Sequence, residues 1–209
     1  LYMQEAATGA PWQGIYVVAG AQTGNATTGF KVGQRVRVTG MYSELFDVDQ
    51  ITAAKIEMVS AVPEVLVPLP VSASQVNTAA GPAAEPYESL LVRIGDGTPG
   101  SVVVTNDKPD TGKFFEVVVT GNLRLDDFIF SYYGTPAPGG TACPDPCPYP
   151  PPGFTQGSSF HSVTGILGFS FGNRKLFPRG NSTSTTGGCG GGPPTCAAPS
   201  TNCCDLAVQ

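Results

Sequence analysis

Six cysteines and a single histidine bound the chemistry open to this 209-residue chain. Cys143, Cys147, Cys189, Cys196, Cys203 and Cys204 all fall in the last third, even in number and in Pro- and Gly-rich surroundings, the pattern of a disulfide framework. Zinc is the competing reading. The Cys143-x-x-x-Cys147 spacing matches no common finger, however, and the other four cysteines share a segment without histidine. Disulfides in an oxidising compartment are therefore expected. Adjacent Cys203 and Cys204 should bond to different partners, and the pairing is otherwise open. A lone histidine cannot build a multi-histidine metal site, and His161, at the start of a β-rich run beside Phe160, is expected at a strand end without a catalytic role.

The carboxylates give three further candidates. Glu85 and Glu88 flank Tyr87, a spacing that serves acid/base work if one pKa is raised, but without a second shell they read as a solvated strand start. Residues 106–112 (Asn106, Asp107 and Asp110 among them) offer oxygen ligands without the EF-hand spacing, so turn chemistry is favoured over calcium. Asp47, Asp49, Asp126 and Asp127 are ambiguous in the same way. No catalytic residue, metal or cofactor is assigned.

For polyanion binding the candidates are Arg35, Arg37, Tyr42 and Phe46 on one predicted hairpin, and Phe169, Phe171, Arg174, Lys175 and Arg179 on another. Basic side chains interleaved with aromatic rings suit single-stranded nucleic acid, because backbone charge supplies affinity and base faces supply stacking. The overall charge opposes this: Lys+Arg 11 against Asp+Glu 16 gives −5. Asn25 and Asn181 each open an Asn-x-Thr glycosylation pattern, which matters only in a host that glycosylates.

The elements that must position these residues are strands. Gly 27 and Pro 20 make nearly one position in four, which disfavours long helices, while 41% hydrophobic residues suffice for a core. Alternating or β-branched runs begin at Leu1, Gly14, Gly33, Ile51, Tyr87, Ser101, Lys113, Leu123 and His161. Prolines at 63, 68, 70, 82 and 86 mark residues 63–86 as a connector that breaks any ladder and holds at most a short helical turn. Residues 130–160 form a Cys- and Pro-rich insertion, and 180–209 a Cys- and Gly-rich tail. No stretch approaches the ~20 apolar residues that span a bilayer.

An internal repeat organises the rest. Val38-Thr39-Gly40 through Ile51 lies without a gap over Val163-Thr164-Gly165 through Leu176, an offset of 163 − 38 = 125 residues. Each block reads as strand, turn and return strand, so two copies of one small barrel are expected, over 1–62 and 87–179.

Leu1-Tyr2-Met3-Gln4, Gly14-Ile15-Tyr16-Val17, Val32 to Gly40, Glu85 to Ile94 and Gly165 to Arg179 together resemble the OB-fold region of large secreted bacterial nucleases and related surface proteins. The likeness covers residues 1–179 and omits the tail. It implies an all-β fold of two OB-like antiparallel barrels and an extracellular setting. It also implies a role in holding nucleic acid, without the nucleases' separate catalytic domain. One departure stands out: that pattern has a strand before the Leu1-Tyr2-Met3-Gln4 element, so the first barrel is short of one. A longer parent chain, the protein's own tail or a neighbouring subunit would each supply it. The expected function is that of a non-catalytic structural or assembly module of a cell-surface or secreted fibre, with other copies of itself as partners. The alternative is a nucleic-acid-holding accessory domain.

Overall fold

The computed structural model describes residues 1–19, 30–98, 100–112, 116–126, 154–178 and 205–206. All six cysteines, Asn25, Asn181, Asp127 and Arg179, and residues 130–153 of the insertion, lie outside the described residues. In chain order the strands are β1 (Tyr2–Gln4), β2 (Gly14–Ala19), β3 (Arg35–Leu45), β4 (Val48–Ser60), β5 (Leu69–Pro70), β6 (Leu91–Ile94), β7 (Val102–Asn106), β8 (Val117–Val119), β9 (Leu123–Leu125), β10 (Ser159–Phe160), β11 (Ser162–Ser170), β12 (Asn173–Pro178) and β13 (Asp205–Leu206). The all-β expectation holds.

Two sheets result. The first has the order β1-β2-β4-β3, with β2 and β4 parallel and the other pairs antiparallel. The second runs β10-β7-β8-β9-β12-β11-β6-β5. Its outermost β10 is separated from β11 only by His161, so the sheet curls until one continuous chain segment touches both β7 and β6.

The repeat is written into the hairpin registers. Met41 pairs with Thr52, Ser43 with Gln50 and Leu45 with Val48; Ile166 pairs with Phe177, Gly168 with Lys175 and Ser170 with Asn173. Each pair of the second set is the first set moved by the same offset. The turns match as well: Phe46 and Asp47 have φ of 54° and 59°, and Phe171 and Gly172 have 50° and 73°, the left-handed pair of a two-residue hairpin turn.

Residues 63–86 are more ordered than a strand-free connector. β5 pairs in parallel with β6, Thr8 bridges Val67, and a helical turn (Ala73–Val76) carries a capping box between Ser72 and Gln75, followed by a 3₁₀ stretch over Thr78–Tyr87. Pro70 is tolerated because β5 is the last strand of its sheet, where a missing N–H need not be paired.

The core is unevenly shared. Leu90, Val92, Leu123, Leu125, Phe154, Leu167 and Leu176 are fully enclosed in the second sheet's curl, each contributing about 1.5–3 kcal/mol by burial. Among the described residues 1–62, only Val17 and Ala53 are buried hydrophobics, and the exposed large hydrophobics are nearly all on this side: Trp12, Met41, Tyr42, Phe46 and Val62 among them. The first sheet lacks a core of its own.

Candidate functional site

Between the two outer edges of the first sheet lies a groove of about 750 Å³. One wall is β1 with Tyr2 and Met3, the other is the start of β3 with Val36, and the floor is Leu91 and Ile166 of the second sheet. Among the described residues no strand pairs with the outer edge of either β1 or β3, so both are edges of the sheet.

An apolar seam fixes the groove's floor. Leu91, Ile166 and Phe177 form a small cluster against which Tyr2 and Leu66 pack. The Tyr2 ring sits 4.8 Å from that of Tyr16 and 6.2 Å from that of Phe177. Burial, reinforced by Tyr16, Glu88 and Asp126, pushes the Tyr2 hydroxyl well above the ordinary phenol range. Polar contacts lock the same seam. The Leu91 amide donates to Gln4 Oε1 at 3.3 Å, the Trp12 amide to the Pro86 carbonyl at 2.7 Å, and the Asp49 amide to Glu88 Oε1 at 3.2 Å.

Beside the seam, buried charges are paired. Arg174 is 3% exposed; its Nη1 donates to Glu88 Oε2 at 3.1 Å and its Nη2 to Glu85. Lys175, 2% exposed, donates to Glu116 and, at 3.0 Å, to Asp126 Oδ2. Arg124 bridges Glu116 at 2.8 Å and Asp110, whose carboxyl that hydrogen bond lowers below the usual range. Two readings from sequence are corrected here. Glu88 is buried and ion-paired instead of solvated at a strand start, and Arg174 and Lys175 form no surface strip, because strand β12 turns both inward onto carboxylates. Glu116 and Arg124 were not singled out from the sequence, and Asp126, weighed there as an oxygen ligand, is instead an ion-pair partner of Lys175. Two adjacent cations directly before the apolar run Leu176-Phe177-Pro178 were the signal that partners must exist.

The other polyanion candidates are also neutralised. Arg35 forms an exposed two-pronged pair with Glu64. Arg37 stands across the ladder from Glu57, whose carboxyl a hydrogen bond from Lys55, helped by Arg37, holds low. The Tyr42 hydroxyl donates to Asp49. Phe46 is 84% and Phe171 87% exposed, at equivalent hairpin tips. Phe169 lies under the Arg174 guanidinium at 5.5 Å and Phe171 near Lys175 Nζ at 5.6 Å. The His161 carbonyl accepts from Ser101 Oγ and from the Gly97 amide, a main-chain role. In residues 106–112 the Asn106 side chain accepts from the Lys108 amide, and Asp110 and Thr111 take left-handed φ, which is turn chemistry. Among the described residues no group of three or more metal-ligating side chains occurs, and no helix is long and apolar enough to cross a membrane.

The groove is therefore the feature suited to contact: largely apolar within, bordered by the two edge strands of the first sheet, and set in the sheet that lacks a core. Compared with known proteins, the chain matches no family model, no curated protein and no solved structure.

Proposed function

We propose that this chain is a non-catalytic module that works by contact outside the cytoplasm, a structural or assembly unit of a cell-surface or secreted fibre. Its two units are read as OB-like barrels, the first one strand short. The observation that carries the reading is the shared register of the two hairpins combined with one difference between the units. In the second, Leu91–Asn106 runs past both β11 and β8. In the first, no described residues occupy the corresponding place. A sheet with so few buried hydrophobics is marginal alone and gains stability when another polypeptide covers it.

Negative-stain microscopy and light scattering across a wide concentration range test the proposal. Ordered multimers that grow with concentration are expected; monodisperse single particles throughout would sink it. Intact-mass measurement without reductant tests the extracellular part of the reading, with all six cysteines expected oxidised.

The alternative, an accessory domain that holds single-stranded nucleic acid, draws support from the two exposed phenylalanines at equivalent hairpin tips. Its electrostatic half is weakened, since Arg35, Arg37, Arg174 and Lys175 each face a carboxylate. A salt-dependent oligonucleotide titration decides it, and absence of binding at low salt removes it.

A further inference from the structure

We infer that the tip of the first hairpin, with the turn beside it, is a binding surface for a basic polypeptide segment. Arginine or lysine side chains of that segment lie on the rings of Trp12, Tyr42 and Phe46 and pair with the carboxylates of Glu44 and Asp47. This surface is separate from the groove and does not depend on the assembly reading.

The fold gathers the rings. In the β2–β4 ladder Tyr16 lies opposite Gln50, so Trp12 and Phe46, each four residues earlier, emerge at the same end of the first sheet. Both are anchored to one short stretch. The Trp12 amide donates to the Pro86 carbonyl at 2.7 Å, and the Asp49 amide, three residues past Phe46, donates to Glu88 Oε1 at 3.2 Å. Asp49 also fixes the third ring, because its carboxylate accepts from the Tyr42 hydroxyl. Trp12 is 71%, Tyr42 62% and Phe46 84% exposed.

Two of these rings sit on strained backbone. Trp12 has φ of 69° and Phe46 of 54°, in the left-handed region that bulky side chains avoid. Burial does not offset that conformation at either position, and strain of this kind collects where a protein makes contact.

Charge chooses the partner. The β3–β4 hairpin is polarised along its length: Arg35, Arg37 and Lys55 lie toward its base, whereas the tip carries exposed Glu44 and Asp47 and, beside them, Asp49. Arg174 reaches the same Glu88 from the second sheet but is 3% exposed and engaged with Glu85 and Glu88. The exposed charge at the tip is therefore negative, which repels a phosphate backbone or an anionic membrane and draws in a cation. The ring faces act in the same direction, since their quadrupole holds a guanidinium or ammonium group while a neighbouring carboxylate accepts its hydrogen bonds. A neutral ligand leaves those carboxylates unused.

The full chain is titrated with an octa-arginine peptide and followed by the emission of Trp12, its single tryptophan. Expected is a saturable change that weakens as salt is raised, with little response to oligothymidylate, a neutral glucan oligosaccharide or phosphatidylcholine vesicles. Phe46→Asn, which relaxes the turn and keeps the fold, is expected to weaken binding roughly 10-fold. Glu44→Gln combined with Asp47→Asn should do the same and flatten the salt dependence. Glu57→Gln combined with Glu64→Gln removes equal charge at the other end of the hairpin and should change affinity by less than about twofold. The inference is overturned by the absence of a saturable response to the peptide, or by a stronger response to any of the other three probes. An equal loss in the Glu57 and Glu64 variant also overturns it, because the attraction is then one of net charge alone. So does a Trp12 that acrylamide fails to quench in the free protein, since the surface is then already covered. None of these outcomes bears on whether the protein assembles, so the fibre reading stands or falls separately.

Discussion

A Cβ placed on Gly165 would stand 2.4 Å from the carbonyl oxygen of Phe177. The same relationship recurs one repeat earlier, where a Cβ on Gly40 would stand 2.3 Å from the carbonyl oxygen of Thr52. The glycine of each Val-Thr-Gly block is thus required by backbone crowding between the two strands of its hairpin. Both Gly165→Ala and Gly40→Ala should destabilise, by about 1–3 kcal/mol as overpacking does. In urea titrations Gly165→Ala should lower the main unfolding midpoint, whereas Gly40→Ala should act on the first hairpin and be read by its amide exchange.

Arg174 joins two carboxylates far away in sequence, and Glu88 is the buried one. Arg174→Met leaves Glu88 buried without its cation and should cost about 3–5 kcal/mol. Glu88→Gln keeps a hydrogen-bonding side chain and should cost about 1 kcal/mol. The double variant should be less destabilised than the sum of the two, and a double-mutant cycle by chemical denaturation measures the coupling. Strict additivity would show that the pair does not act as one.

The pH dependence follows from Glu88. Burial raises its carboxyl above the ordinary value, against the opposing charge and hydrogen bond of Arg174 and the bond from the Asp49 amide. A folded-state pKa above the unfolded one means that the folded protein holds the proton more tightly. The contribution is complete below the unfolded pKa and is lost as pH rises through the folded one. Relative to Glu88→Gln, the parent protein should therefore lose stability as pH rises above the ordinary glutamate range, and Arg174→Met should steepen that loss. Denaturation midpoints compared across this range check both signs.

The first hairpin turns on two non-glycine residues with left-handed φ, and Phe46 is the costlier of them. Phe46→Asn, alone or with Asp47→Gly, should stabilise the hairpin by about 1 kcal/mol, since Asn-Gly is the sequence this turn prefers. Thermal unfolding measures the gain. If the same change weakens self-association or oligonucleotide binding, the aromatic ring at the tip is kept for contact at the expense of the turn.

The strands and the repeat were legible because their causes are local. Alternation marks a half-buried ribbon, two residues make each turn, and the offset that aligns Val38 with Val163 is the offset that relates the two ladders. The ladder of Leu69–Pro70 was not legible, because an edge position excuses proline and only the sheet's order reveals the edge. Nor was the fate of Arg174 and Lys175. In sequence they form a basic pair fit for a phosphate backbone, but their carboxylate partners Glu88 and Glu116 lie 86 and 59 positions away. Residue types and spacing thus determined which segments become ribbons and how each folds back on its neighbour, since those contacts lie within a few residues. Tertiary structure alone decided which charges are spent inside, where the two sheets meet and that a groove remains between β1 and β3, because each depends on groups brought together only when distant segments pack.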